Sequence, residues 1–244
     1  MVRAQQGPRA RYREQTRSEI KDVALQQLAE GGVGALALTR IAKEMGLSGP
    51  ALYRYFASRD DLLSALIRDA YDDAATAMAE AASGAAAASR NPRAQLHALA
   101  DGYRAWAVAE PHRYLLVQGT PVPGYVAPDD TLDRARAVLG PFLPVFADGT
   151  PGAGVAPVVA EMAAWLGEDE AVGMWVAGYA PPAAGEPDDA GRPARALAGA
   201  VLAWAQLHGS AGLEAAGQFA GMGHSGVTLL GAQTEMLADA FGLK

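Results

Sequence analysis

Between positions 39 and 59 the chain reads TRIAKEMGLSGPALYRYFASR, a stretch dense in side-chain donors. At about 100° per residue, a helix starting near Ser48 turns Leu52 and Phe56 inward as an i,i+4 pair. Pro50, Ala51 and Arg54 then occupy the opposite side, with Tyr53 and Tyr55 on the flanks. The Arg54 fork can take guanine O6 and N7 together, and Ala51 can meet a thymine methyl. Gly49 and Pro50 are small enough to allow close approach. The hydroxyls of Tyr53 and Tyr55 and the free N–H groups of the helices that Thr39 and Ser48 begin suit phosphate oxygens, and Arg40, Lys43 and Arg59 add positive charge. An ordinary solvated surface is the competing reading of so short a helix.

These residues need elements to hold them. Apolar spacing at Ile20, Val23, Ala24 and Leu28 predicts a helix over about 15–30, closed by Gly31-Gly32. Thr39 is a candidate N-cap for a second short helix that Gly46 would stop. Ser48 would cap the third helix, with Pro50 tolerated in its first turn. Ser58-Arg59-Asp60-Asp61 reads as a capping box for a fourth, long helix running into the alanine tract at 79–88. Two short helices joined by a tight turn have the dimensions of a helix-turn-helix.

Further helical segments are expected at about 93–109, 112–118, 130–147, 155–178, 193–209 and 226–241, with no strand pattern anywhere. The breaker-rich stretch 179–193 reads as a mobile surface loop. Half the residues are hydrophobic, but many are alanine, so close helix packing is expected rather than a core of large side chains.

Charge is distributed unevenly. Residues 1–59 hold 10 Lys or Arg against 5 Asp or Glu, whereas 71–244 hold 9 against 19. A basic head attracts polyanions and an acidic body turns away from them, which orients an encounter. The chain has no cysteine, which excludes thiol nucleophiles and sulfur-based zinc sites. Its four histidines offer no local ligand pair, and no nucleophile, base and orienting group assemble from local motifs. Neither a catalytic site, a metal site nor a cofactor is therefore expected. Gly221–Gly226 matches G-x-G-x-x-G but follows helix-like sequence instead of a strand, and reads as an inter-helix loop. The first twenty residues lack the apolar run of a secretory signal, and no stretch approaches the roughly 18 apolar residues of a membrane span. A cytoplasmic chain without a membrane partner is the expectation.

From Thr16 to Leu66, and above all in LTRIAKEMGLSGPALYRYFASRDDLLSALI, the sequence resembles the amino-terminal DNA-binding domain of the TetR family of bacterial transcription regulators. Thr39, Ala42, Gly46, Ser48, Leu52-Tyr53, Phe56, Arg59 and Leu62-Leu63 occupy the places of the family pattern. Tyr55 stands where histidine is common and Arg59 where lysine is. Further on, Trp204, His208 and Gly209 resemble the Trp-His-Gly signature of a subgroup of carboxyl-terminal domains. The resemblance implies an all-α protein: a helix-turn-helix domain at 1–60, with its motif at about 38–57 and a basic disordered arm at 1–14, joined by a long helix to a bundle at 61–244. It also implies an effector-binding, homodimerising body. The stripes Leu197, Val201 and Leu230, Leu237, Phe241 are ordinary core by periodicity alone and a dimer seam by the resemblance.

Tyr103, Trp106, Tyr114, Met162, Trp165, Met174, Trp175, Trp204 and His208 are candidates for the lining of an effector pocket, and equally for bundle core. The expected function is a dimeric repressor that leaves a palindromic DNA operator when a small molecule binds. The alternatives are an activator, a regulator without ligand, or a helical enzyme or carrier.

Overall fold

The computed structural model describes residues 7–88, 91–119, 124–181 and 191–244. Twelve α-helices and two short 3-10 turns follow in order among them, with no strand: α1 (Pro8–Gly31), α2 (Leu38–Glu44), α3 (Gly49–Tyr53), α4 (Arg59–Ala88), α5 (Pro92–Ala109), α6 (Pro111–Gln118), α7 (Thr131–Leu139), α8 (Leu143–Phe146), α9 (Ala156–Glu168), α10 (Glu170–Tyr179), α11 (Arg192–Ala215) and α12 (Gly226–Ala240).

The first three helices close on Ile20, Ala24, Ile41, Leu52 and Phe56, all buried. Gly46 adopts φ +65°, and the Leu47 N–H reaches back to the Ala42 carbonyl at 2.8 Å, so the left-handed stop expected of this glycine is present. Ser48 caps α3 by accepting from the Ala51 N–H at 3.3 Å. Thr39 does not cap α2. That helix begins two residues earlier, after Ala37, whose N–H is taken by the Gln27 side chain of α1 at 3.0 Å. Burial of Leu38 draws the start of α2 inward, and a neighbouring helix supplies the acceptor.

α4 is a single helix of 30 residues, roughly 45 Å at the standard rise. Half of its capping box is realised: Ser58 accepts from the Asp61 N–H at 3.0 Å, while the Asp61 carboxylate accepts from the Ala57 N–H at 2.9 Å, one residue before the cap. The alanine tract forms its last turns. α4 leaves the head and packs against α5, α6 and α7, becoming a wall of the body.

Residues 8–14, expected to be disordered, form the opening turns of α1, with Pro8 in its first turn where no N–H is needed. Residues 1–6 lie outside the described residues. The segment expected at 155–178 is two helices, because Asp169 leaves helical geometry and its carboxylate caps α10 through the Ala171 and Val172 N–H groups. The loop expected at 179–193 lies mostly outside the described residues, at 182–190.

α11 is the axis of the body. Its buried face is built of Ala194, Ala196, Ala198, Gly199, Ala200 and Ala203, which lets neighbouring helices approach closely. A Cβ at Gly199 would overlap the Phe146 ring, and Phe146 in turn meets Phe241 edge-on at 4.9 Å between centroids. Close packing on small residues is thus realised. No helix among the described residues is long and apolar enough to cross a membrane.

Candidate nucleic-acid interface

α3 is shorter than its sequence pattern suggests: it ends at Tyr53, and Arg54 is its C-cap. Leu52 and Phe56 anchor it with 1% and 0% exposure, which fixes what faces out. Ser48, Gly49, Pro50, Tyr53 and Arg54 are exposed, while Ala51 and Tyr55 are half-buried. Thr39, Arg40 and Lys43 are exposed on α2. Arg40 pairs with Glu30 of α1, an exposed contact that a phosphate can replace.

Arg59 has a different job. Its guanidinium donates to the carbonyls of Val33 at 2.6 Å and Leu36 at 3.1 Å. These bonds fasten the first turn of α4 to the segment leading into α2. The side chain thus positions α4 against the head.

The sequence reading passed over a second set of cations. Arg9, Arg13 and Arg17 stand at i, i+4 and i+8 on α1 and so share one face. Arg17 donates to the Tyr55 carbonyl at 2.9 Å and lies 4.2 Å over the Phe56 ring. Arg13 approaches the Arg54 carbonyl at 3.5 Å. Cations are thereby set against the C-terminal carbonyls of α3, where the helix dipole is negative. Arg9, Tyr12, Arg13, Arg54 and Tyr55 together line an open recess of about 490 Å³. It has two arginines from α1 and one from the end of α3, an arrangement suited to a phosphate. The repeat of arginine every fourth residue was the available signal.

The body is held to this head by Lys21 of α1 and Asp69 of α4, 2.6 Å apart.

The aromatic candidates divide. Tyr103, Trp106, Tyr114, Trp204 and His208 form one cluster with ring centroids 4.0–6.2 Å apart. Tyr114 donates to the His208 carbonyl at 3.0 Å. Burial pushes the Tyr114 hydroxyl up to about 12, raises Tyr103 further, and lowers the His208 imidazole to about 4. These rings fill the space between α5, α6 and α11. Trp165 and Met174 project outward, and Met162 and Trp175 are half-buried. Two cavities lie elsewhere. One of about 600 Å³ lies between the alanine-rich end of α4 and α5, α7 and α8. The other, of about 250 Å³, lies where the head meets the body. None of the nine expected lining residues borders either.

The proposed dimer stripes also require correction. Leu197, Leu230, Leu237 and Phe241 are buried inside the chain and Val201 is half-buried, so their apolar faces are already used. No group of three or more potential metal ligands stands together among the described residues.

Two family profiles match the chain. One, described as bacterial regulatory proteins, tetR family, covers residues 20–66; the other, described as tetracyclin repressor-like, C-terminal domain, covers 96–237. The HTH-type transcriptional regulators Rv1816 of Mycobacterium tuberculosis and Mb1846 of Mycobacterium bovis are 40% identical over 144 residues. That match spans 59% of this chain and 61% of those proteins' length. The crystal structure of the protein designated SCO4313 has a TM-score of 0.73 at 42% identity, over 96% of this chain and 100% of that one. A Rhodococcus sp. RHA1 structure of unknown function has a TM-score of 0.62 at 24% identity, over 93% and 94% of the two chains, and is similar in fold.

Proposed function

The chain belongs to the TetR family of DNA-binding bacterial transcriptional regulators, and from that premise we propose that it is a homodimeric repressor released from a palindromic operator by a small-molecule effector. The observation that carries this reading is the course of α4. Its first turn is clamped to the head by Arg59, and its last turns, through Ala75, Ala79, Ala82 and Ala86, wall the larger cavity.

In this reading α3 lies in the major groove. Arg54 contacts a base edge there, while Ser48, Tyr53, Tyr55, Lys43 and the recess arginines Arg9 and Arg13 take phosphates. One head offers too few contacts for specific binding, so two heads read a two-fold-symmetric site.

The seam that joins them lies on the outward side of the same two last helices expected from the family. Leu213 of α11 and Met236 of α12 are 42% and 69% exposed, and Ala205 and Gly209 leave the α11 surface low beside them. Gly209 of the Trp-His-Gly signature thus has a role distinct from that of Trp204 and His208, which pack inward.

The larger cavity is within the size range of ligand sites and is bordered by Leu99, Pro144 and Val145 besides the alanines, so an apolar effector suits it. An effector acts by binding better to a dimer whose heads are wrongly spaced, and must discriminate between the two states by a few kcal/mol to switch occupancy. Genomic selection on the purified protein should return one short palindrome, and apolar compounds that raise its melting temperature should lower its affinity for that sequence. A set of unrelated sites, or full operator affinity with every such compound bound, would refute the reading.

A further inference from the structure

α1 buries one stripe against the head: Thr16, Ile20, Ala24 and Leu28. Counted back at the same i−3 and i−4 spacing, the stripe runs on as Arg13, Tyr12 and Arg9, and there its character becomes cationic. Thr16 is the first buried residue of the helix, and every residue from 7 to 15 is exposed. Eight residues carry the helix about 12 Å beyond Thr16, so the extension stands clear of the head and adds nothing to its core. Burial therefore does not account for the side it presents. From Pro8 to Arg17 the stretch holds four arginines against Glu14 alone. The recess that Arg9, Tyr12 and Arg13 share with Arg54 and Tyr55 has no carboxylate among these lining residues. Such a face is complementary to a polyanion.

We infer that the extension of α1 crosses the DNA backbone beside each half-site and places Arg9 in the adjoining minor groove, so that the protein responds to the width of that groove. This rests on the operator reading above, which puts Arg54 at a base edge in the major groove. The recess shares Arg54, so it faces the wall of that groove, and Arg13 meets the backbone phosphate there. Arg9 is one turn farther out, about 6 Å along the helix, which is the width of a minor groove. At that place it stands between the phosphates of the two strands. A run of A·T pairs narrows the groove and deepens its negative potential, whereas a G·C pair puts an amino group on its floor. A guanidinium is more weakly hydrated than an ammonium and loses less on entering. Tyr12, 72% exposed on the same side, offers its ring to the deoxyriboses between the two contacts. Discrimination then arises at base pairs that α3 does not touch.

The probes are duplexes that carry the selected palindrome, with A-tracts or G·C runs set either just outside the half-sites or just between them. The full chain is titrated with each at several salt concentrations. The parent should bind several-fold more tightly when A-tracts occupy one of these two places. Arg9→Ala should erase that preference and lower the salt slope by about one unit. Arg9→Lys should keep the slope and recover only part of the preference. Arg9 is exposed and alanine favours helix, so both variants keep the fold. Hydroxyl-radical cleavage, which attacks sugars in the minor groove, should show protection beside each half-site in the parent that Arg9→Ala loses, with protection over the half-site retained. Equal affinity for all the adjoining sequences, or an Arg9→Ala loss that is the same on each, overturns the groove contact and leaves the operator reading standing. Failure to select any palindrome overturns both.

Discussion

Arg17 and Tyr55 are joined across the head: the guanidinium of α1 donates to the Tyr55 carbonyl at 2.9 Å while stacking over the adjacent Phe56 ring. The bond holds the end of α3 where one short helix could not hold itself. Arg17→Ala should cost about 1–2 kcal/mol of stability, from one charged hydrogen bond and one cation–π contact at a half-buried site. Arg17→Lys should restore only part of it, because an ammonium cannot both stack flat and donate sideways. Urea unfolding of the three proteins checks this; indistinguishable midpoints would mean that α3 is positioned by Leu52 and Phe56 alone.

Arg54 and Arg13 should separate specificity from affinity. Arg54→Ala is expected to lose about 1–3 kcal/mol at one base position and to flatten preference there. Arg13→Ala should weaken every duplex alike and reduce the salt slope of binding by about one unit. Titrations of matched and single-substituted duplexes at several salt concentrations distinguish the two. A uniform loss from Arg54→Ala would remove it from base readout.

The head's legibility in the sequence had a local cause. Ser48, Gly46, Ser58 and Asp61 act through bonds to neighbours a few positions away, so their types and spacing suffice to name their roles. Thr39 failed as a cap because the acceptor at the start of α2 came from Gln27, ten positions from Ala37 on another helix. The clamp made by Arg59 was hidden for the same reason, since its carbonyl partners lie 23 and 26 positions away. In the body, apolar stripes announced helices but not their partners. Leu197 and Leu230 on one side, and Leu213 and Met236 on the other, differ in burial only because neighbouring helices cover one side of α11 and α12.

Protonation of His208 should weaken the fold. Burial favours its neutral form, lowering it from 6.5 to about 4. Between those values the unfolded chain takes up a proton that the folded one refuses, so this contribution is complete above pH 6.5 and is lost as pH falls toward 4, by about 2–3 kcal/mol in all. Carboxylates titrate there too, so the measurement is the difference between the parent and His208→Phe in urea midpoints at pH 7 and pH 5. The parent should lose more on acidification; parallel losses would place the imidazole in contact with water.

Gly199→Ala should be among the most damaging single methyl additions. The new Cβ meets the buried Phe146 ring, which cannot retreat because Phe241 lies against its other side. Overpacking of this kind costs about 1–3 kcal/mol. Gly209→Ala, with nothing within 4 Å, should be close to neutral in the isolated chain and can disturb only its association. Thermal unfolding compares the two, and equal melting temperatures would show that α11 can shift to make room.

Leu213→Glu combined with Met236→Glu should yield a folded monomer in sedimentation equilibrium, since both positions are exposed within the chain. Operator affinity should fall steeply with it. A persistent dimer would move the seam to the exposed apolar side chains of α9 and α10.

The run of alanines on the inner face of α4 gives the larger cavity a nearly featureless wall. Each methyl there is a position at which a bulkier residue changes what fits while the base-reading end of the molecule, several turns away, keeps its own residues. On the proposed reading, sensors for new compounds can be bred from this scaffold by enlarging Ala79 or Ala82 one at a time, with the promoter-side half of the circuit left as it stands.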